Sequence, residues 1–217
     1  NLRYGLHAPT HVILLSGIPA LRGIDVGPVW VTVGAMATLT DVAGHERIPA
    51  LLPALAQAAR SVAGPQLRNV GTVGGNIALD TRCQWYNRHR EWRHALGGCL
   101  KLEGKICHVT GRSAGCVAAR SGDTVPALIV LGARVQIQRG AELVDVPIEE
   151  IMGRQGFFGP ATSLDKKRSH LNLEVGDLIV AVRVPRVEWE DRRSAFRKVA
   201  RRGAIDFPLL NLSLIHI

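Results

Sequence analysis

Aromatic residues make up only 5% of this 217-residue chain, which holds two methionines and four cysteines. No apolar run approaches the roughly 20 residues that a membrane span needs, and no basic segment leads into an apolar one at the start. The reading is a soluble cytoplasmic protein. Internal repeats and low-complexity tracts are absent, which excludes solenoid architectures. The G-x-G-x-x-G spacing of a dinucleotide fold is missing, as are the close C-x2-C pairs that usually supply structural zinc ligands. Acidic residues are also scarce, 18 against 27 Lys and Arg, for a formal net charge of +9. That excess fits a basic surface or an acidic protein partner. The run Trp85-Tyr86-Asn87-Arg88-His89-Arg90-Glu91-Trp92-Arg93 interleaves aromatics with cations, but no nucleic-acid motif accompanies it.

What is present suits one large or two small domains of α+β class. Residues 29–33 partly alternate as a strand, and Thr38 and Asp41 are candidate helix caps. From 48 to 62, Leu51, Leu52, Leu55, Ala58, Ala59 and Val62 fall at helical spacing, with Pro49 and Pro53 near the start and Gly64 past the end. Residues 125–131 read as a short apolar helix closed by Gly132, and Val135 and Ile137 alternate with polar neighbours as a strand. Residues 178–184 and 195–201 are further strands, whereas 153–169 is irregular.

Two motifs carry chemistry. In Gly71-Thr72-Val73-Gly74-Gly75-Asn76 the paired glycines let the backbone approach a ligand, and successive N–H groups can form a nest for phosphate oxygens; an ordinary turn is the plainer reading. All the cysteines fall in one stretch, Cys83, Cys99, Cys107 and Cys116, as C-x15-C-x7-C-x8-C. Four thiols in one loop-like segment suggest a single site. An iron–sulfur cluster, zinc and unligated thiols stay open on spacing alone, while disulfides suit a cytoplasmic chain poorly. Between 80 and 123 the chain has little apolar periodicity, with Gly97, Gly98, Gly104, Gly111 and Gly115 as turn points. Such a long loop without its own core is usually functional or disordered.

Residues 62–76, with Ser121-Gly122-Asp123-Thr124-Val125-Pro126-Ala127, resemble the second flavin loop and the S-D-x-x-P-A segment of FAD-binding subunits in the xanthine dehydrogenase, or molybdenum hydroxylase, family. The intervening cysteine stretch, with Leu79-Asp80-Thr81-Arg82-Cys83 and Ile106-Cys107-His108-Val109, is similar to one branch of it, the β subunits of 4-hydroxybenzoyl-CoA reductases, where this loop holds a [4Fe-4S] cluster. The resemblance implies an FAD-binding domain of the PCMH type over 1–211, with an inserted cluster loop at 81–122. It implies that Thr72, Val73, Gly74, Gly75, Asn76, Asp80, Asp123 and Lys198 contact FAD, and that Cys83, Cys99, Cys107 and Cys116 ligate the cluster. Without it, Lys198 is one more charge on an exposed strand, and Asp123 caps the helix at 125–131.

The implied role is an electron relay with no catalytic residue of its own. Its partners would be a ferredoxin donor, a small [2Fe-2S] subunit and a large molybdenum-pterin subunit, with no nucleic acid or membrane. Arg82, Arg88, Arg90, Arg93, Lys101 and Lys105 are read as an outer landing surface for that acidic ferredoxin. A sibling hydroxylase passing electrons outward is the main alternative, and a basic zinc module contacting nucleic acid the remote one. Family members carry an earlier Ala-Gly-Gly-Thr-Asp type phosphate loop before the segment resembling residues 1–5, and a small C-terminal domain after Asp206-Phe207-Pro208. Residues 212–217 spell the translation of a transposase adapter end and are expected to lie outside the fold.

Overall fold

The computed structural model describes residues 2–112, 116–152, 171–186 and 193–216. The chain divides into two units, one of Leu15–Leu79, Ser121–Glu149 and Val175–Ile217, the other of Asn1–Leu14, Asp80–Arg120 and Glu150–Glu174. The irregular stretch expected at 153–169, and Gly115, lie outside the described residues.

In the larger unit, β1 (Ile24–Val26), β2 (Trp30–Gly34), β3 (Arg134–Arg139), β4 (Glu142–Pro147) and β5 (Leu178–Pro185) form an antiparallel sheet in the order β1-β2-β5-β3-β4. Period-2 alternation buries Val31, Val33, Val135, Ile137, Val182 and Val184 almost completely. On the other face Arg183 lies 4.3 Å over the Trp30 ring and shares Asp145 with Arg134.

Five short helices follow β2: α1 (Leu39–Gly44), α2 (Ile48–Leu51), α3 (Pro53–Ser61), α4 (Pro65–Val70) and α5 (Val73–Ile77). Thr38 opens α1 with a reciprocal capping box, its hydroxyl accepting the Asp41 amide while Asp41 accepts its own. The single helix expected over 48–62 is two helices. Pro53 lacks an N–H and disfavours helical geometry in the residue before it, and Leu52 accordingly sits at φ −131°, ψ 62°. The chain reaches the glycine motif through α4, an element the periodicity did not show.

After α6 (Arg90–Ala95), α7 (Thr124–Val130) ends near Gly132, whose φ of +65° suits a helix terminus, and α8 (Ile148–Ile151) follows β4. The strand expected at 195–201 is β6 (Arg193–Val199), which pairs antiparallel with β7 (Leu210–His216). Phe196 packs with Ala54, Ala58 and Ala127. Residues 212–216 thus lie within a strand, although Leu210, Leu212 and Leu214 face outward and the Asn211 Oδ1 and Ser213 Oγ atoms are buried with no partner among the described residues.

The smaller unit is loops and turns around α6, joined at its base by a bridge between Arg82 and Ala119. It has a core after all. Leu6, Tyr86 and Cys99 pack together, flanked by Tyr4, Cys83 and Leu102, so the opening segment supplies apolar groups that the loop lacks. Arg93 fastens that segment: only 4% exposed, it donates to the carbonyls of Tyr4, Gly5 and Arg88. This corrects the outer-surface reading for Arg93, and also for Lys101, whose side chain is 9% exposed. Arg82, Arg88, Arg90 and Lys105 do lie outside.

Candidate functional site

The glycine motif is helical where a turn was expected. Thr72 caps α5, its hydroxyl accepting the Gly75 amide at 3.1 Å and its carbonyl the Asn76 amide at 2.9 Å. The Val73 and Gly74 amides donate to the carbonyls of Ala37 and Ala35 at 3.0 and 2.8 Å. A nest needs alternating right- and left-handed residues, yet neither glycine has positive φ. The expected concavity of free N–H groups is therefore not formed.

The two glycines serve different ends. A Cβ on Gly74 would stand 2.8 Å from the Ala35 Cβ, so close packing of α5 against the chain leaving β2 excludes a side chain there. Gly75 faces outward, and a Cβ on it would meet only the Thr72 hydroxyl, at 3.0 Å. Its bare Cα edge is the part of the motif open to a ligand.

Asn76 joins α5 to the second motif, its side-chain oxygen accepting the Thr124 amide at 3.1 Å and the Thr124 hydroxyl at 2.6 Å. Asp123 does not cap α7 with its side chain. Its buried carboxylate instead accepts from Lys198 Nζ at 2.8 Å and Asn211 Nδ2 at 2.9 Å. Lys198 also donates to the carbonyls of Ser61 and Asp206, and its side chain is 11% exposed, so it is no ordinary surface charge. Distant segments thus form two hydrogen-bonded groups, Asn76 with Thr124 and Asp123 with Lys198 and Asn211, which adjoin at the neighbouring residues Asp123 and Thr124.

Lys198 further lines a cleft of about 390 Å³ whose wall carries Arg197, Arg201 and Arg202. Sequence reasoning passed over these three arginines, although the dense basic run 197–202 was the available signal. A bare glycine edge, a buried acceptor at Asn211 Oδ1 without a donor among the described residues, and a cationic cleft are each features suited to an anionic ligand with ribose-type donors, such as FAD. With the α5 amides engaged, the contacts fall to side chains. Asp80 belongs to the smaller unit, where its oxygens accept from Lys101 at 2.6 Å and the Tyr86 hydroxyl at 3.1 Å.

All four cysteines are free thiols lining one small cavity of about 20 Å³, shared with Tyr86, Lys101 and His108. Cys99 and Cys107 are buried, Cys83 and Cys116 half-buried. Burial opposes ionisation of Cys107, but the amides of Thr110, Val109 and Val117 and the Thr110 hydroxyl outweigh it and lower its pKa. Burial raises the Cys116 thiol, against the Ala118 amide and the Lys101 charge. Burial, then the Asp80 carboxylate, pushes the Tyr86 phenol well above its ordinary range and keeps it a donor.

Among the described residues, no three His, Cys, Asp or Glu side chains gather as a site for one ion. A tetrahedral zinc needs four ligands within about 2.3 Å of a point, whereas a four-iron cluster takes one thiolate at each separate iron. Four thiolates are a donor set that either centre accepts.

Comparison with known proteins places this geometry. The chain is 29% identical over 224 residues to the aldehyde oxidoreductase FAD-binding subunit PaoB of Escherichia coli K12, covering 99% of this chain and 66% of that one. The carbon monoxide dehydrogenase medium chain of Hydrogenophaga pseudoflava is 46% identical over 70 residues, 32% of this chain and 24% of the relative. A solved structure of carbon monoxide dehydrogenase from the same organism shares the fold with a TM-score of 0.59 at 23% identity, covering 93% of this chain and 52% of that one. The chain spans about half to two thirds of the length of the relatives it matches along most of its own. Residues 1–187 match the family described as the FAD binding domain in molybdopterin dehydrogenase, and to that family this chain belongs.

Proposed function

We propose that the chain is the electron-relay subunit of a molybdenum-dependent oxidoreductase, with FAD on the larger unit and a [4Fe-4S] cluster on the smaller. One observation carries the cluster: every cysteine of the chain lines a single cavity, although the four come from separate turns. Thr72, Gly75, Asn76, Asp123 and Lys198 are proposed to hold FAD, with Val73 and Gly74 seating α5 beneath it. Asp80, which the family resemblance also assigns to FAD, belongs to the smaller unit and is held there by Lys101 and Tyr86. FAD, when bound, supplies exchange between one-electron and two-electron carriers, and the protein supplies binding and orientation.

By the likeness of the insertion to 4-hydroxybenzoyl-CoA reductase β subunits, ferredoxin would be the donor, and a [2Fe-2S] subunit and a molybdenum-pterin subunit the acceptors. The phenolic hydroxyl of 4-hydroxybenzoyl-CoA would be removed on the latter. A second reading, a sibling oxidoreductase passing electrons outward, is favoured by the aldehyde oxidoreductase relative, which aligns along 99% of the chain and so across the cysteine stretch as well.

Anaerobic purification of the intact complex tests both halves. Flavin should be present, with about four irons per chain beyond those of the small subunit; zinc in their place refutes the cluster. Dehydroxylation of the thioester by reduced ferredoxin supports the reductase, and turnover of an aldehyde with an electron acceptor, but not of the thioester, decides for the sibling.

A further inference from the structure

The cysteine cavity has one cation in its wall. Lys101 Nζ is held by Asp80 at 2.6 Å, by the Thr81 hydroxyl at 2.5 Å and by the Thr81 carbonyl at 3.3 Å, and lies 4.0 Å over the Tyr86 ring. Tyr86 in turn donates to the second oxygen of Asp80. Lys101 and Tyr86 line the cavity with the four thiols, whereas Asp80 does not. The ion pair therefore has its cationic residue in the cavity wall and its carboxylate residue outside it. Surface steering does not require this: the side chain is 9% exposed, and Arg82, Arg88, Arg90 and Lys105 already supply exposed charge.

We propose that Lys101, positioned by Asp80, Thr81 and Tyr86, sets the reduction potential of the metal centre held by the four cysteines. The inference rests on the cluster reading above. A reduced centre carries one more negative charge than an oxidised one, and a desolvated cation nearby stabilises that added charge more than the same cation in water would. The potential of a cysteine-bound cluster responds to local net charge and to hydrogen bonding around its sulfurs. Lys101 raises it and Asp80, behind, tempers the effect. An ammonium with these four contacts is fixed in place, so the effect is built in.

The test is an EPR-monitored redox titration of the anaerobic complex, with iron and flavin measured on the same samples. Lys101→Gln should lower the cluster midpoint by about 59 mV or more, equivalent to a tenfold fall in its one-electron reduction equilibrium. Lys101→Arg should restore most of it. Asp80→Asn should move the midpoint the other way, a change of sign that a merely structural role would not produce, and it serves as the second variant if Lys101→Gln fails to assemble its iron. A normal iron content with an unmoved midpoint in both neutralising variants overturns the inference and leaves the cluster reading standing. A wild-type complex without the extra iron overturns both.

Discussion

Gly74 and Gly75 are adjacent and of one residue type, but they answer to different constraints, and substitution should separate them. In Gly74→Val the new side chain meets Ala35, where even a Cβ would lie 2.8 Å from a neighbouring carbon, so α5 must shift. Overpacking of this kind costs about 1–3 kcal/mol. We predict a thermal midpoint lower by several degrees whether or not flavin is supplied. Gly75→Val presses only on the Thr72 hydroxyl, at 3.0 Å from the new Cβ, and should cost less stability than Gly74→Val, yet lose FAD, because a branched side chain then covers the open edge. Normal flavin content in that variant would leave Gly75 with no role beyond the helix. Among the cysteines, Cys99 is buried against Tyr86 and Leu6 and also faces the thiol cavity. Replacing it by serine should abolish the cluster iron while most FAD is retained, since the proposed flavin residues other than Asp80 lie in the larger unit. Unchanged iron would remove Cys99 from the ligand set.

At the scale of the element, α6 and the turn before it divide their cations between two tasks. Arg88 lies 5.4 Å over the ring of Trp92, itself 41% exposed, and with Arg90 presents charge to solvent. Arg93 turns inward to three carbonyls. Steering between exposed charges is screened over about 8–10 Å at physiological salt, so reduction by an acidic ferredoxin should slow steeply as salt rises, and reduction by a small neutral dye should not. Changing Arg88 and Arg90 to Gln should flatten that slope at constant iron content. An unaltered slope would move the donor's landing site off this surface. Arg93→Met should behave differently, leaving the slope alone but lowering stability by about 1–3 kcal/mol through the unpaired carbonyls. Equal effects on salt dependence from all three arginines would contradict the burial of Arg93.

On the scale of the whole molecule, the two units hold themselves together by different means. The larger has a five-stranded sheet, whose strands β2, β3 and β5 bury valine and isoleucine. The smaller, among its described residues, holds α6 and a core built around Leu6, Tyr86 and Cys99. The proposed metal centre, bound only in the folded state, would stabilise that unit by mass action and staple its turns. Removing iron by oxidation and chelation should therefore raise hydrogen exchange and proteolysis across 80–120, with protection in β2, β3 and β5 kept. Unchanged protection across 80–120 would show that the core alone, and not the metal, maintains the smaller one.

Local chemistry was legible in the chain. Period-2 alternation marked β2 and β3, Gly132 marked the end of α7, and Thr38 with Asp41 marked a capped start, because each depends on neighbours within a few residues. The gathering of thiols and the two flavin motifs were equally plain in the order of residues. What the order could not show was which groups remain available once the chain has folded. The α5 amides were free on paper and are engaged by Ala35, Ala37 and Thr72. Asp123 looked like a cap and is instead the acceptor of Lys198, 75 residues away. Arg93 looked like a surface charge and is buried against the carbonyl of Tyr4, 89 residues away. A hydrogen-bond donor or a charge is committed by whichever partner the fold brings within about 3 Å, and for these groups that partner came from a distant segment, so only the tertiary structure could decide it.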